Sequence, residues 1–314
     1  MTADPAFRAD VLAGLAAPIP AVPARWLYDR RGSELFEEIT RLPEYYPTRT
    51  ETAMLERHSG DFAAMFAPGA AVVEFGSGSS TKTPILLRAV EPAAYVPIDI
   101  SGDFLRDSAD ALRAEFPGLP IHPVEADFMR RLELPDEIAA APKLGFFPGS
   151  TIGNFVPRSA VDLLRAMKDT LGDGARLLIG MDRIKDVDVL LAAYDDEAGV
   201  TASFNLNLLH RINAELEGTI PIEAFRHRAI WDDAKSRIEM HLEARRDVAF
   251  TIAGRSFAFK AGESIHTENS HKYGHRDSRL LLRAAGWGVV REWIDERQWF
   301  SIILAEAEPP RFAP

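Results

Sequence analysis

An α/β fold built on a parallel, doubly wound sheet is predicted by three features of the chain. Strand-like apolar runs alternate with helical patterns between residues 70 and 181. The first run, Ala71-Val72-Val73-Glu74-Phe75, passes straight into a glycine turn, Gly76-Ser77-Gly78. The next, Tyr95-Val96-Pro97-Ile98, ends in Asp99. Two glycines let a backbone turn tightly and come close to a ligand, and an acid at the tip of the neighbouring strand can accept both hydroxyls of a ribose. Turn and acid together predict a nucleoside cofactor.

The elements follow in order. Residues 1–60 read as helical and irregular, and Arg31 to Ile39 has apolar residues at helical spacing with Ser33 as its expected N-cap. In Leu42-Pro43-Glu44-Tyr45-Tyr46-Pro47 the prolines fix two adjacent tyrosines on a rigid loop. The first strand covers 72–75, and a helix starts at Pro84 with Thr83 as cap. The second strand covers 95–99; the helix after it is capped by Ser101 and carries Phe104, Leu105, Leu112 and Phe116 on one side. A third strand runs from Ile121 to Glu125, a fourth from Leu144 to Phe147 and a fifth from Arg176 to Met181. The alternation then stops. Val187 to Leu216 reads as largely helical, and Arg237 to Val248 with Ala249 to Phe259 as two antiparallel strands around the Gly254 turn. Such a late block usually supplies a lid or a substrate wall. Asp277 caps a helix ending at Gly286, and Val289–Ile294 with Phe300–Ala305 form a closing antiparallel hairpin.

Three parts are therefore expected: an N-terminal helical segment, 1–60, contributing to the substrate site; a cofactor domain of 61–185 and 275–314; and an inserted α+β substrate domain, 186–274. A net charge of -11 argues against a nucleic-acid or anionic-membrane surface, so the substrate is expected to be small. The absence of cysteine rules out disulfides, thiolate zinc sites and a Cys nucleophile. Pro18, Pro20 and Pro23 break the one candidate targeting segment, and no apolar run approaches the ~18 residues of a membrane span. A cytoplasmic monomer is expected.

The identity of the cofactor is indicated by what the turn lacks. A dinucleotide fingerprint needs a third glycine three residues after the second, and Thr81 stands there. Glu74, just before the glycines, would sit badly beside a diphosphate but suits a ligand carrying an amino group and a sulfonium. S-adenosylmethionine fits better than NAD. The closing hairpin agrees, because Rossmann-like S-adenosylmethionine-dependent methyltransferases end their sheet with an antiparallel strand.

Five longer motifs extend this reading: Tyr28-Asp29-Arg30-Arg31-Gly32-Ser33-Glu34-Leu35-Phe36, Leu42 to Glu51, Phe75 to Thr83, Phe147-Pro148-Gly149-Ser150-Thr151-Ile152-Gly153-Asn154-Phe155, and Thr267-Glu268-Asn269-Ser270-His271-Lys272-Tyr273. Together, from Tyr28 to Ala305, they resemble the L-histidine Nα-methyltransferases of ergothioneine biosynthesis. The resemblance implies a class I methyltransferase that trimethylates the α-amine of free histidine to hercynine, with S-adenosylhomocysteine as the other product. It implies that Gly76, Ser77 and Gly78 wrap the methionine end of the cofactor, with Lys82 at its carboxylate, Asp99 on the ribose, and Asp127 and Phe128 on the adenine. It implies that Tyr45 and Tyr194 grip the substrate carboxylate and that Tyr28 lies near the growing methylammonium. Glu268 and Ser270 would read the imidazole, Met240, Phe36 and Phe204 form apolar walls, and Gly149 and Thr151 line the substrate loop. Asn154, whose carbonyl can accept from the α-amine and whose NH₂ can donate to the carboxylate, would orient the nucleophile. Asn154, Tyr45 and Tyr28 are the candidate catalytic residues.

Plainer readings stand beside these. Lys82 could be a solvated helix-start lysine, Asn154 a turn former, and Tyr194, Phe36, Phe204 and Met240 ordinary core. Relatives in the superfamily methylate tryptophan-derived amines; an indole offers one donor and would leave Ser270 or part of Glu268 unsatisfied. His266, Glu268, His271 and His275 cluster in sequence, but the spacing fits no familiar zinc motif, and no metal is expected. Methyl transfer from a positive sulfur requires chiefly alignment and a neutral amine, so no strong general base is expected.

Overall fold

The computed structural model describes residues 4–66, 69–78 and 80–309; Ser79 of the glycine turn lies outside them. The helices are α1 (Pro5–Leu15), α2 (Arg30–Thr40), α3 (Tyr46–Arg57), α4 (Ser59–Met65), α5 (Thr83–Val90), α6 (Gly102–Glu115), α7 (Pro157–Leu171), α8 (Val187–Tyr194), α9 (Val200–Glu215) and α10 (His275–Ala284). The strands are β1 (Ala71–Phe75), β2 (Ala94–Asp99), β3 (Val124–Glu125), β4 (Lys143–Phe147), β5 (Arg176–Asp182), β6 (Phe225–Asp232), β7 (Arg237–Ala244), β8 (Val248–Ile252), β9 (Arg255–Phe259), β10 (Ser264–His271), β11 (Trp287–Ile294) and β12 (Phe300–Ala307). They fall into two compact units. One, the α+β unit, comprises Met1–Tyr46 and Lys185–Ser270; the other, the sheet unit, comprises Pro47–Ile184 and His271–Pro314.

The sheet unit is built on seven strands in the order β11-β12-β5-β4-β1-β2-β3. The five from β3 to β5 are parallel, whereas β12 runs antiparallel to β5 and β11 antiparallel to β12. Strand alternation explains the two layers of helix. Val73, Phe75, Val96, Ile98, Leu177 and Ile179 face one way, into a core with Leu163 and Leu164 of α7 and Leu281 and Leu282 of α10. Val72, Tyr95, Leu144, Phe146 and Leu178 face the other, against Met54 and Leu55 of α3, Phe62 of α4, Leu86 and Leu87 of α5 and Leu112 of α6. Strands buried on both faces read as largely apolar runs, and in β1 the one polar residue is Glu74, whose carboxyl is paired inside the protein. The third strand is shorter than its sequence suggests: Ile121 makes only an isolated bridge to Tyr95 before β3 begins at Val124. Pro123, lacking an N–H, stands between them and interrupts the ladder. Residues 47–60, grouped by sequence with the N-terminal segment, belong here because Met54 and Leu55 are buried in this core.

Three expected caps move. Asp29, not Ser33, caps α2: its Oδ1 accepts from Gly32 N–H at 2.7 Å, while Ser33 is a buried residue within the helix. Thr83 is the first residue of α5, and its hydroxyl is committed to Glu74. Asp277 caps α10 from its third position, accepting from Gly274 N–H at 3.1 Å, the reach-back half of a capping box.

The α+β unit holds a three-stranded sheet, β10-β7-β6, and a two-stranded one, β8-β9. The Gly254 hairpin joins β8 to β9, with Ala253 and Gly254 both at positive φ. Strand β7 instead pairs with β6, an element whose sequence pattern does not announce a strand. Alternating Arg226 and Arg228 disguise β6 as a charged loop; across the pair both donate to Glu243, at 3.0 and 2.8 Å.

Candidate functional site

At the carboxyl end of β1 the turn residues Gly76 and Ser77 both donate to the Ile98 carbonyl of β2, at 2.8 and 3.1 Å. Gly76 has φ +69°, and a Cβ built there would lie 3.5 Å from the Phe128 ring, so the turn and this aromatic are in direct register. Phe128 in turn packs edge-on against Phe75 and Phe147. Asp99 uses one oxygen to accept from Gly78 N–H at 3.0 Å and the other to accept from Ser101 N–H at 2.9 Å. Each oxygen keeps a further lone pair, so the acid that shapes the turn can still accept a hydroxyl. Asp127 is steadied by accepting from Met129 N–H at 3.0 Å.

Glu74 does not present itself to a ligand. It is 1% exposed and accepts from the Tyr95 hydroxyl at 2.6 Å and the Thr83 hydroxyl at 2.7 Å, pinning the start of α5 beneath the turn. Burial raises its carboxyl to about 7, against the opposing pull of those two hydroxyls. A folded-state value above the unfolded one favours the folded state at low pH, and this contribution is lost as pH rises from near 4.5 through 7. Glu74→Gln, which can still accept both hydroxyls, is expected to be more stable than the parent at pH 8 by about 3 kcal/mol. At pH 4.5 the two should coincide. Denaturant melts of both proteins across that range check it; a pH-independent difference would mean that Glu74 is ionised throughout.

The switch point of the sheet lies between β1 and β4, where ligands bind in doubly wound folds. Here the fold joins residues that lie far apart along the chain. Glu51 of α3 is 1% exposed, accepts from Gly149 N–H at 2.8 Å and forms an ion pair with Lys82. Its carboxylate lies over β5, where a Cβ on Gly180 would meet it at 2.0 Å. Lys82 is thus neither a solvated lysine nor an isolated charge awaiting a carboxylate. A signal for Glu51 did exist: it shares the stripe of Met54 and Leu55 at i+3 and i+4, which makes it an acid on a buried helix face. Gly149, at φ +79°, sits beside Lys82 and the Thr151 hydroxyl, which donates to the Pro148 carbonyl at 2.9 Å. Asn154 ends the short 3₁₀ turn Thr151–Asn154. That loop is anchored from below, since Ser150 Oγ accepts from Asp182 N–H at 2.8 Å and Tyr273 donates to the Ile152 carbonyl at 3.3 Å.

In the α+β unit the other candidate residues form a near-continuous aromatic box. Tyr28 meets Phe36 and Phe204 edge-on, at 5.7 and 5.4 Å between centroids, and Phe36 meets Tyr45 at 6.2 Å. Tyr45 in turn meets Tyr194 at 6.2 Å. Two residues of β10 join this box. Tyr28 donates to Glu268 Oε1 at 3.3 Å, and the hydroxyls of Tyr194 and Ser270 are 2.6 Å apart. The resemblance assigned Tyr194 and Ser270 to opposite ends of the substrate, whereas here they share a hydrogen bond. Burial, reinforced by the Glu268 charge, raises the Tyr28 phenol well above its ordinary range, so it remains a donor. Met240 is buried on β7, its carbonyl accepting from the Thr267 hydroxyl at 3.0 Å.

Histidines next to this box form an array of a different kind. The potential ligand atoms of Glu239, His241 and His266 lie within 4.8 Å of one another. The two rings are stacked, 4.9 Å apart and 19° from parallel, so their in-plane lone pairs run side by side instead of converging on one ion. Arg237 occupies Glu239, and His266 Nε2 lies 3.0 Å from the Glu268 carbonyl. Of the histidines flagged by sequence, His275 pairs with Glu292 at 2.9 Å.

Comparison with known proteins agrees with this chemistry. A family described as histidine-specific, SAM-dependent methyltransferases matches residues 7–307. The chain is 41% identical to histidine N-alpha-methyltransferase of Mycolicibacterium smegmatis, over 96% of this chain and 94% of that one. It is 30% identical to ergothioneine biosynthesis protein 1 of Neurospora crassa, over 91% of this chain and 33% of the other. It is also 27% identical to the L-tryptophan methyltransferase trpM of Psilocybe serbica, over 96% and 93% of the two chains. With a family match from residue 7 to residue 307, the chain belongs to the histidine-specific, S-adenosylmethionine-dependent methyltransferases.

Proposed function

We propose that this protein methylates the α-amine of free L-histidine three times, giving Nα,Nα,Nα-trimethylhistidine, the first stage of ergothioneine biosynthesis. One observation carries the choice of substrate. Glu268 and Ser270 stand at i and i+2 on β10, hence on one face and about 7 Å apart, a spacing that matches a five-membered ring bonded at both nitrogens. A buried carboxylate accepts from one nitrogen and the hydroxyl serves the other. Next to them, the aromatic faces of Tyr28, Phe36, Tyr45 and Phe204 suit an amine that becomes a quaternary ammonium, an attraction of about 0.5–2 kcal/mol.

The turn at Gly76, the Phe128 ring and the lone pairs left on Asp99 fit an adenosine cofactor, with Lys82 and Ser77 toward its methionine end and Asp127 toward adenine. S-adenosylmethionine, when bound, supplies a methyl group already activated by positive sulfur. The side chains of the protein then have to orient a neutral amine and exclude water. Asn154 orients the α-amine, and Tyr45 and Tyr194 hold the carboxylate without adding a positive charge that would repel the sulfonium. The Tyr28 phenol, kept neutral by burial, lines the path of the growing methylammonium. Gly149 and Thr151 complete the acceptor loop. The reading includes a monomer acting in the cytoplasm; among the described residues no helix is long and apolar enough to cross a membrane.

The purified protein, incubated with labelled S-adenosylmethionine and a panel of amino acids, is expected to give trimethylated histidine as its main product by mass. Turnover of tryptophan with histidine ignored would sink the assignment and favour the activity named for the Psilocybe relative.

A further inference from the structure

Tyr194 is the last residue of α8, where a helix leaves carbonyls without intrahelical partners. Its carbonyl lies 2.8 Å from Nε2 of His227, a residue of β6 whose side chain is 1% exposed. The other ring nitrogen, Nδ1, lies 2.9 Å from Nδ2 of Asn205, which is fully buried on α9. The same Nδ2 donates to the His241 carbonyl of β7 at 3.1 Å. These contacts fix the protons. Turning the Asn205 amide over would set Oδ1 against the His241 carbonyl, acceptor against acceptor, so Nδ2 stays where it is. Being only a donor, it requires a bare Nδ1 on His227; the ring proton must sit on Nε2, where it donates to Tyr194.

We propose that His227 is a positioning residue: as a neutral, Nε2-protonated ring locked by Asn205, it holds the Tyr194 backbone and thereby fixes the Tyr194 phenol against Ser270. This rests on the reading of Tyr194 and Ser270 as substrate-binding groups. Burial favours the neutral ring, against the pull of the Tyr194 carbonyl, Asp195 and Asp196 and in concert with His241. No sequence motif marks the triad, because the three residues come from α8, α9 and β6 and meet only in the fold.

Two substitutions separate positioning from bulk packing. In His227→Gln the amide nitrogen can reach the place of Nε2 and still donate to Tyr194; in His227→Asn the shorter side chain reaches only the place of Nδ1. His227→Asn is expected to raise the KM for histidine about tenfold with little change in kcat or in S-adenosylhomocysteine affinity, and His227→Gln to restore it within about threefold. In a Tyr194→Phe background, His227→Asn should add almost nothing to KM. Equal KM values for Gln and Asn, or full additivity with Tyr194→Phe, would overturn the proposal. Should Tyr194→Phe itself leave histidine KM unchanged, the substrate reading falls, and the inference with it. Nitrogen NMR of the wild-type protein, labelled in its histidines, provides a check that needs no variant: His227 should show a protonated Nε2 and a bare Nδ1, and the reverse tautomer or an imidazolium would refute the proposal.

Discussion

Lys82→Met is expected to cost about 3–5 kcal/mol of folding free energy, far more than the loss of an exposed lysine, because it strands the Glu51 carboxylate in a site where Glu51 is 1% and Lys82 14% exposed. Exposed ion pairs contribute about 0–1 kcal/mol, so the magnitude itself tests whether this pair is buried. The double variant Lys82→Met, Glu51→Gln should recover most of that loss, since the amide oxygen can still accept from Gly149 N–H and no charge remains unpaired. Cofactor affinity should behave differently. If the remaining Lys82 donors meet the cofactor carboxylate, calorimetric affinity for S-adenosylhomocysteine stays about tenfold weak in both variants. Denaturant unfolding and calorimetry on the three proteins suffice. A double variant as unstable as the single one would show that the pair is not the unit that holds α3 over the switch point.

This pair also illustrates what could be read in advance. The parallel strands were legible because burial on both faces demands apolar runs, and the glycine turn was legible because a tight bend at the end of β1 leaves few residue choices. The role of Glu51 was not, although the residue lay inside a quoted motif: Lys82 is 31 positions away and Gly149 98, and nothing local records such a meeting. Strand β10 was missed for a related reason. Thr267-Glu268-Asn269-Ser270 looks like a polar loop, but Thr267, Glu268 and Ser270 are buried, and a polar strand inside a protein is tolerated when its groups are paired, as Glu268 is with Tyr28 and Ser270 with Tyr194. Buried, paired polar side chains such as Glu268 and Ser270 are costly to maintain for packing alone, and in this fold these two coincide with the aromatic box.

Glu268 is where that cost should be most visible in the chemistry. Replacing it by Gln preserves volume and leaves an oxygen for Tyr28 to donate to, but it removes the charge that strengthens a hydrogen bond from an imidazole N–H. Glu268→Gln is therefore expected to lower kcat/KM for histidine by about 10²–10³-fold, chiefly through KM, while S-adenosylhomocysteine affinity is unchanged. Glu268→Ala should do the same and also remove the carboxylate to which the Tyr28 hydroxyl donates at 3.3 Å, adding a stability loss of about 1–3 kcal/mol that the Gln variant avoids. Tryptophan provides the control. An indole has one N–H and no second ring nitrogen for Ser270, so either variant should lose far less on tryptophan than on histidine, and the ratio of the two substrates should fall. Steady-state kinetics with both amino acids measure that ratio directly. A ratio unmoved by loss of the carboxylate would place imidazole recognition elsewhere, and would leave Glu268 as a partner for Tyr28 and nothing more.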